Sequence, residues 1–74
     1  MSRYAYTFQE ALTLMSLGIS MTTPGAGEHG VTKVEDLENT KYCMIYFDDI
    51  GNRYHAIRNR AILENSRWAK YEEL

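Results

Sequence analysis

The chain has 74 residues, a formal net charge of −2 and one cysteine. We expect a single domain, residues 1–74, that buries only about 60% of its unfolded surface and needs either a well-packed core or self-association for stability. One cysteine and two histidines exclude an internal disulfide and the usual structural zinc sites. No apolar run approaches the roughly 20 residues that cross a bilayer, and nothing resembles a signal peptide, so we expect a cytoplasmic protein. The negative charge argues against general nucleic-acid binding.

The first predicted element is a helix over residues 8–17. Residues 7–10 read Thr-Phe-Gln-Glu, the pattern of a capping box in which Thr7 and Glu10 bond each other's backbone amides. Gly18 follows where a helix end needs a left-handed residue. An apolar stripe with helical spacing lies between these signals: Phe8, Ala11, Leu12 and Met15.

The middle of the chain predicts short strands around a loop. Residues 19–23 suit a strand, whereas residues 24–30 hold one proline and three glycines and must turn. A short strand over residues 31–34 would place Val31 and Lys33 on one face. Residues 35–40 are expected to form an acidic connection with room for one helical turn.

A β-hairpin follows, with strands at residues 41–47 and 53–57 around Gly51. Alternation places Cys43, Ile45 and Phe47 on one face of its first strand and Tyr42, Met44 and Tyr46 on the other. Because both faces are bulky, we expect a helix on one side and another surface, such as a second subunit, on the other.

The end of the chain completes the predicted sheet. Residues 58–66 should form a loop with a helical turn that carries Ile62 and Leu63 inward. Residues 67–71 should form the last strand, which Trp68 anchors to the core or to an interface. The predicted fold class is α+β, with one N-terminal helix packed on a small, mostly antiparallel sheet of four to five strands.

Charge is divided unevenly along the second half of the chain. Residues 35–49 are predominantly acidic, and residues 53–70 are predominantly basic. The two stretches either attract each other across a solvated surface or leave a basic pocket for an anionic ligand. Arginine suits the second role because its planar guanidinium grips phosphate with two hydrogen bonds.

The residue types that catalysis needs are present, but their arrangement does not favour an enzyme. His29 and His55 are residue types that could act as an acid or a base, but no nucleophile stands in a pattern with either. Cys43 is expected to be a small buried residue, and Asp48-Asp49 a solvated turn. Gly25-x-Gly27-x-x-Gly30 has the spelling of a dinucleotide-binding loop without the βαβ unit around it. We expect no cofactor.

Several features occur in a particular order. A Phe-x-Glu-Ala-Leu helix opening at residues 8–12 is followed by Gly18, a glycine-rich loop, Tyr42-x-Met44 with Gly51 in a hairpin, and Trp68 in the last strand. In this order, from Thr7 to about Glu72, the chain resembles the second family of phage Thoeris anti-defence proteins. The resemblance implies a non-enzymatic protein, called a sponge, that captures an immune signalling molecule in the infected bacterial cell and keeps it from its host effector. It would be a homo-oligomer, a dimer or a tetramer.

The resemblance also implies the kind of ligand and where it binds. The ligand would be a cyclic nucleotide or a molecule of the cyclic ADP-ribose type, held without cleavage in pockets between subunits. The family carries arginine, tryptophan and asparagine around its glycine-rich loop, where this chain reads Thr-Thr-Pro-Gly-Ala-Gly at residues 22–27. Either the ligand differs and the later arginines hold it, or this member does something else. The candidate ligand-binding residues are Thr22, Thr23, Gly25 and Gly27 as a close wall, Arg58, Asn59 and Arg60 for phosphate or ribose, and Tyr42 or Tyr46 for stacking.

Two other functions compete with this hypothesis. A phage-encoded inhibitor would dock on a host or defence protein through its aromatic sheet face or its acidic residues 35–49. A structural or assembly subunit would form oligomers that carry no exchangeable ligand.

Overall fold

The structure is a computed structural model that describes residues 3–26, 29–47 and 51–73. These residues form an α+β fold in which helices cover one face of an antiparallel sheet. The predicted fold class is therefore confirmed. The elements are α1 (Phe8–Ser16), β1 (Met21–Thr22), a 3₁₀ turn (Pro24–Ala26), β2 (Gly30–Leu37), β3 (Lys41–Phe47), β4 (Arg53–Asn59), α2 (Arg60–Glu64), β5 (Ala69–Lys70) and a second 3₁₀ turn (Tyr71–Glu73).

The five strands lie in the order β4-β3-β2-β1-β5, and every pairing is antiparallel. Strands β2, β3 and β4 form a meander of long strands, whereas β1 and β5 have two residues each. Both short strands are shorter than the predicted 19–23 and 67–71. The described part of the sheet thus has one long edge at β4 and one short edge at β5.

Helix α1 begins as predicted, because both hydrogen bonds of the capping box form. The Thr7 backbone N–H donates to Glu10 Oε1 at 3.0 Å, and the Glu10 N–H donates to Thr7 Oγ1 at 3.2 Å. The helix ends before Gly18, whose φ of +88° is the left-handed conformation that favours glycine.

The core lies between the helices and one face of the sheet. Trp68 is completely buried, and its backbone exchanges two hydrogen bonds of 2.9 Å with Tyr6. The predicted anchoring role of Trp68 is confirmed, with the core as its site. The side chains of the core cluster include Phe8, Ala11 and Met15 of α1, Met21, Val31, Tyr42, Met44 and Leu63.

Strand β2 is longer than predicted, and its side chains are distributed differently between the two faces of the sheet. It continues to Leu37, so the acidic residues that we expected to form a connection lie in a strand. The register shifts between Val31 and Lys33, which leaves Thr32 as an extra residue in β2. This bulge puts Val31 in the core and Lys33 on the other face, so the prediction that they share a face is wrong. The first residue of β2 is Gly30, and a side chain does not fit there because a Cβ would lie 3.0 Å from the Tyr71 ring.

Two further corrections concern the chain reversals. Residues 35–40 contain no helical turn, because Glu38 and Asn39 take φ values of +53° and +59° in a tight turn. The Thr40 N–H donates to Leu37 O at 3.2 Å and closes a β-hairpin turn whose two central residues both have positive φ. In α2, Leu63 points inward as predicted, but Ile62 is 65% exposed. A helix of five residues packs only one side, so two successive side chains cannot both face the core.

The capping box makes the stability of the fold depend on pH. Hydrogen bonds from the backbone and side chain of Thr7 lower the pKa of Glu10 below its ordinary value of 4.5. A carboxylate with a lowered folded-state pKa stabilises the fold above its unfolded-state pKa, and this contribution is lost as the pH falls through the folded-state value. We expect Glu10→Gln to lower the urea midpoint at neutral pH and to approach the wild type below about pH 4.5.

The control for this measurement is Glu72→Gln, which removes an exposed carboxylate outside the capping box. A difference between Glu10→Gln and the wild type that stays constant from acid to neutral pH would contradict the assignment.

Candidate functional site

A small cleft opens between the loop after β1, the β3–β4 hairpin and α2. Its volume is about 140 Å³. The cleft brings together three of the residues predicted to bind ligand: Thr23, Gly25 and Arg58. Its remaining lining consists of Met44 of β3, Ile62 and Leu63 of α2, and Ser66 after the end of that helix.

Arg58 reaches the cleft because of the alternation of side chains along β4. It pairs with Tyr42 of β3, whose side chain is in the core, so Arg58 points to the face that the helices cover. Its guanidinium donates one hydrogen bond of 3.2 Å, from Nη2 to the carbonyl oxygen of Gly25. No carboxylate of the described residues forms an ion pair with Arg58. The cleft therefore contains the exposed guanidinium of Arg58, which is hydrogen-bonded to a neutral carbonyl group.

Three rings form a stack on the same face of the hairpin. Tyr46 and Tyr54 are cross-strand partners with centroids 5.6 Å apart, and His29 lies 5.3 and 5.4 Å from them. The ring planes differ by 21–23°, the offset stacking that aromatic pairs favour. Tyr54 and Arg58 are four residues apart on one strand face, a separation of about 13 Å. Ala56 lies between them on the same face, and its small side chain leaves a shallow surface between the ring stack and the guanidinium.

Sequence reasoning missed part of this arrangement. It proposed Tyr46 for stacking and treated His29 only as an acid or base, and it did not select Tyr54. The signal was present, because residues 46 and 54 are opposite one another in a hairpin whose turn lies midway between them.

Arg60, by contrast, is engaged inside the fold. It donates to Tyr42 Oη at 2.9 Å, lies 4.5 Å above that ring, forms an ion pair with Asp36, and lies 3.5 Å from Glu64. The Tyr42 hydroxyl donates to Glu64 at 3.1 Å. Burial and this hydrogen bond raise the pKa of Tyr42, and the hydrogen bond to Asp36 raises the pKa of Arg60. Two carboxylates thus balance the charge of Arg60, and the cluster ties α2 to β2 and β3.

The other predicted site residues also have partners within the fold. Thr22 and Thr23 are 0% and 3% exposed, and their hydroxyls donate to the carbonyls of His29 and Arg67 at 3.1 and 2.9 Å. The Asn59 side chain accepts from the Ala61 N–H at 2.9 Å and caps α2. Gly27 lies outside the described residues, as do Asp48 and Asp49.

None of the helices in the described residues packs on the second face of the sheet. Cys43 is buried as predicted, but on this face, where its Sγ lies 4.0 Å from His55 Nδ1. Arg53 lies 5.2 Å above the Phe47 ring, and Ile57 is 61% exposed. We call this surface the open face and define it by Cys43, Ile45, Phe47 and Ile57.

The described ranges place no three His, Cys, Asp or Glu side chains where they could together hold a metal ion. None of the helices in those ranges has both the length and the apolar character needed to cross a membrane.

The contrast between the two arginines predicts different effects on stability. Arg60→Met should lower the urea midpoint markedly, because Asp36 and Glu64 lose their shared cation. Arg58→Met, the matched control, removes one hydrogen bond to Gly25 and should change the midpoint much less. Equal losses would show that Arg58 is as much a part of the fold as Arg60.

Comparisons with known proteins do not assign the chain to a family. No family model, curated protein or solved structure matches it. Its function must therefore be argued from the cleft, the ring stack and the open face.

Proposed function

We propose that this protein is a phage counter-defence protein that binds and sequesters a cyclic nucleotide-type immune signal without cleaving it. The observation that carries the proposal is Arg58, an exposed guanidinium in a cleft without a carboxylate partner among the described residues. Arg60, two residues later, has two such partners, so anion binding is assigned to Arg58.

The shape of the surface fits a ligand that combines phosphate with a flat ring. Phosphate would replace the Gly25 carbonyl at the Arg58 guanidinium, where a charge-assisted, bidentate contact is stronger than the neutral hydrogen bond it displaces. A base would stack on a tyrosine ring of this strand face, where Tyr54 is 40% exposed. Stacking tolerates any base because every base has a π-face.

The volume of the cleft supports an oligomer. Pockets for small molecules usually measure about 300–1,000 Å³, and this one measures about 140 Å³. A single subunit would hold the phosphate end of a nucleotide and leave the remainder in solvent. We therefore propose a homo-oligomer, a dimer or a tetramer, in which a second subunit covers the rest of the ligand.

Sequestration requires affinity and no chemical step. The signal would be titrated out of solution in proportion to the amount of protein and its dissociation constant. Such a protein would act in the cytoplasm of the infected cell.

Loss of Arg58 should reduce binding strongly. A hydrogen bond to a charged group contributes about 1.5–3 kcal/mol, so Arg58→Ala should weaken binding about ten- to one-hundred-fold. Arg58→Lys should retain part of the affinity, because it keeps the charge and loses the bidentate geometry. Isothermal titration with glycocyclic ADP-ribose, cyclic ADP-ribose and a set of cyclic dinucleotides measures these differences.

Arg53→Ala is the matched control. It removes the same charge from the same strand, but on the open face. A wild-type protein that binds none of these ligands, or an equal loss in the two variants, would refute the proposal.

A second candidate function is direct inhibition of a host or defence protein, and the open face favours it. The acidic stretch no longer does, because Lys33 pairs with Glu35 at 2.8 Å and Arg60 pairs with Asp36. An inhibitor would dock through Phe47 and Ile57, so Ile57→Glu should abolish a stoichiometric complex isolated after removal of small molecules. If that complex survives Ile57→Glu, this function is excluded for the open face.

A further inference from the structure

Strand β4 is the long edge of the sheet, and the described residues leave it uncovered. It has seven residues and no shift of register against β3, and all of them except Ala56 are exposed. The opposite edge, β5, has only two residues. Proteins usually shorten, bend or cover a long edge strand, because the outward N–H and C=O groups of an edge can recruit another strand.

The path of α2 explains why no described helix covers this edge. Helix α2 follows β4 directly but turns back over the sheet, where Arg60 contacts Tyr42 of β3 and Asp36 of β2. Leu63 packs in the core on the same side. The helix that could have covered β4 therefore lies over its neighbours.

The sequence of β4 favours a second copy as its partner in one register. Residues directly opposite each other in an antiparallel pair point to the same face of the sheet. Because side chains alternate along each strand, two identical strands can pair only if opposite residues are both odd-numbered or both even-numbered, so that their numbers add up to an even sum. A two-fold axis at Ala56 pairs residues whose numbers sum to 112, and this register alone pairs all seven residues, 53–59, with one another. An axis at His55 would place two imidazoles face to face, and an axis at Ile57 would pair only five residues of the strand.

The charges of β4 are compatible with this register. Arg53 lies opposite Asn59 of the partner subunit, and Arg58 lies opposite Tyr54 of the partner subunit, so no two cations face each other. The two copies of Arg58 are about 13 Å apart, beyond the roughly 8 Å over which salt at physiological strength screens exposed charges. A guanidinium opposite a tyrosine ring is a favourable pair.

We propose that two copies pair through β4 about a two-fold axis at Ala56, and that Tyr54 of the partner subunit completes the ligand site at Arg58. The ligand role rests on the proposed function. Arg58 and the partner's Tyr54 lie opposite each other on the side of the sheet where the cleft opens. The phosphate group would bind Arg58 while the base stacks on the partner's tyrosine. Symmetry creates two such sites in each dimer.

Single cysteine substitutions test the pairing without any ligand. Ala56→Cys, His55→Cys and Ile57→Cys are made in a Cys43→Ser background, because Cys43 pairs with residue 57 within one chain. In the proposed register the two Cα atoms at position 56 face each other at a distance that allows a disulfide. Only Ala56→Cys should form a covalent dimer efficiently on mild oxidation, and mixing Ile57→Cys with His55→Cys should form a mixed dimer.

The cross-linking pattern decides the register, and light scattering of the wild type decides whether a dimer exists. Preferred self-cross-linking at position 55 or 57, or a monomer at all concentrations, would overturn the pairing. A monomer that binds an extended acidic peptide along β4 would also overturn it and would identify the true occupant.

Mixing two inactive variants tests the shared site. Arg58→Ala and Tyr54→Ala homodimers should each lose capture of glycocyclic ADP-ribose. After unfolding and refolding together, half of the dimers are mixed, and each mixed dimer carries one intact site, about one per four chains. If Tyr54 acted on Arg58 of its own chain, every site would stay defective and nothing would be recovered.

The two proposals can fail separately. Cross-linking at position 56 with capture by the wild type but no recovery in the mixture overturns the shared site alone. Cross-linking at position 56 without capture of any ligand by the wild type overturns the proposed function and leaves the pairing supported.

Discussion

The return of α2 across the sheet depends on the interactions of Arg60. Its guanidinium joins a carboxylate from β2, a tyrosine from β3 and a carboxylate from its own helix, so one side chain ties three elements together. A five-residue helix is too short to be stable in isolation, and these contacts together with Leu63 hold it against the sheet. Because α2 lies over β3, it forms one wall of the cleft, and no described helix lies along the edge of β4. The contacts of Arg60 thus shape both the cleft and the edge strand.

Arg58 and Arg60 illustrate how tertiary structure assigns different roles to like residues. Their spacing of two would keep them on the same face of a continuous strand. The strand ends at Asn59, whose side chain caps α2, and the direction of the chain changes there. Arg60 consequently turns into a cluster of acidic residues, while Arg58 stays at the end of β4 beside the loop carbonyl of Gly25. The attraction between the acidic and basic stretches is real at Arg60, whereas Arg58 lines the cleft without a carboxylate partner among the described residues.

The two faces of the sheet offer two kinds of surface. On the helix side, the surface between the ring stack and Arg58 has polar groups at both ends and the small Ala56 in the middle, which suits a small amphipathic ligand. On the open face, aliphatic and aromatic side chains alternate with charged ones, which suits a protein partner.

The sequence by itself determined the elements whose signals are local. The capping box and the stripe of α1 lie within one helix, the β3–β4 hairpin has alternation and a glycine turn, and Trp68 is too large and apolar for a domain of this size to leave exposed. Only the tertiary structure decided the bulge at Thr32, the left-handed turn at Glu38 and Asn39, the outward position of Ile62, and the separate fates of Arg58 and Arg60. Apart from the turn, which Leu37 and Thr40 close locally, these features depend on contacts between residues distant in sequence, which fix register and facing through packing and ion pairing. Local propensity carries no information about such contacts, because the same residues would satisfy their local preferences in either arrangement.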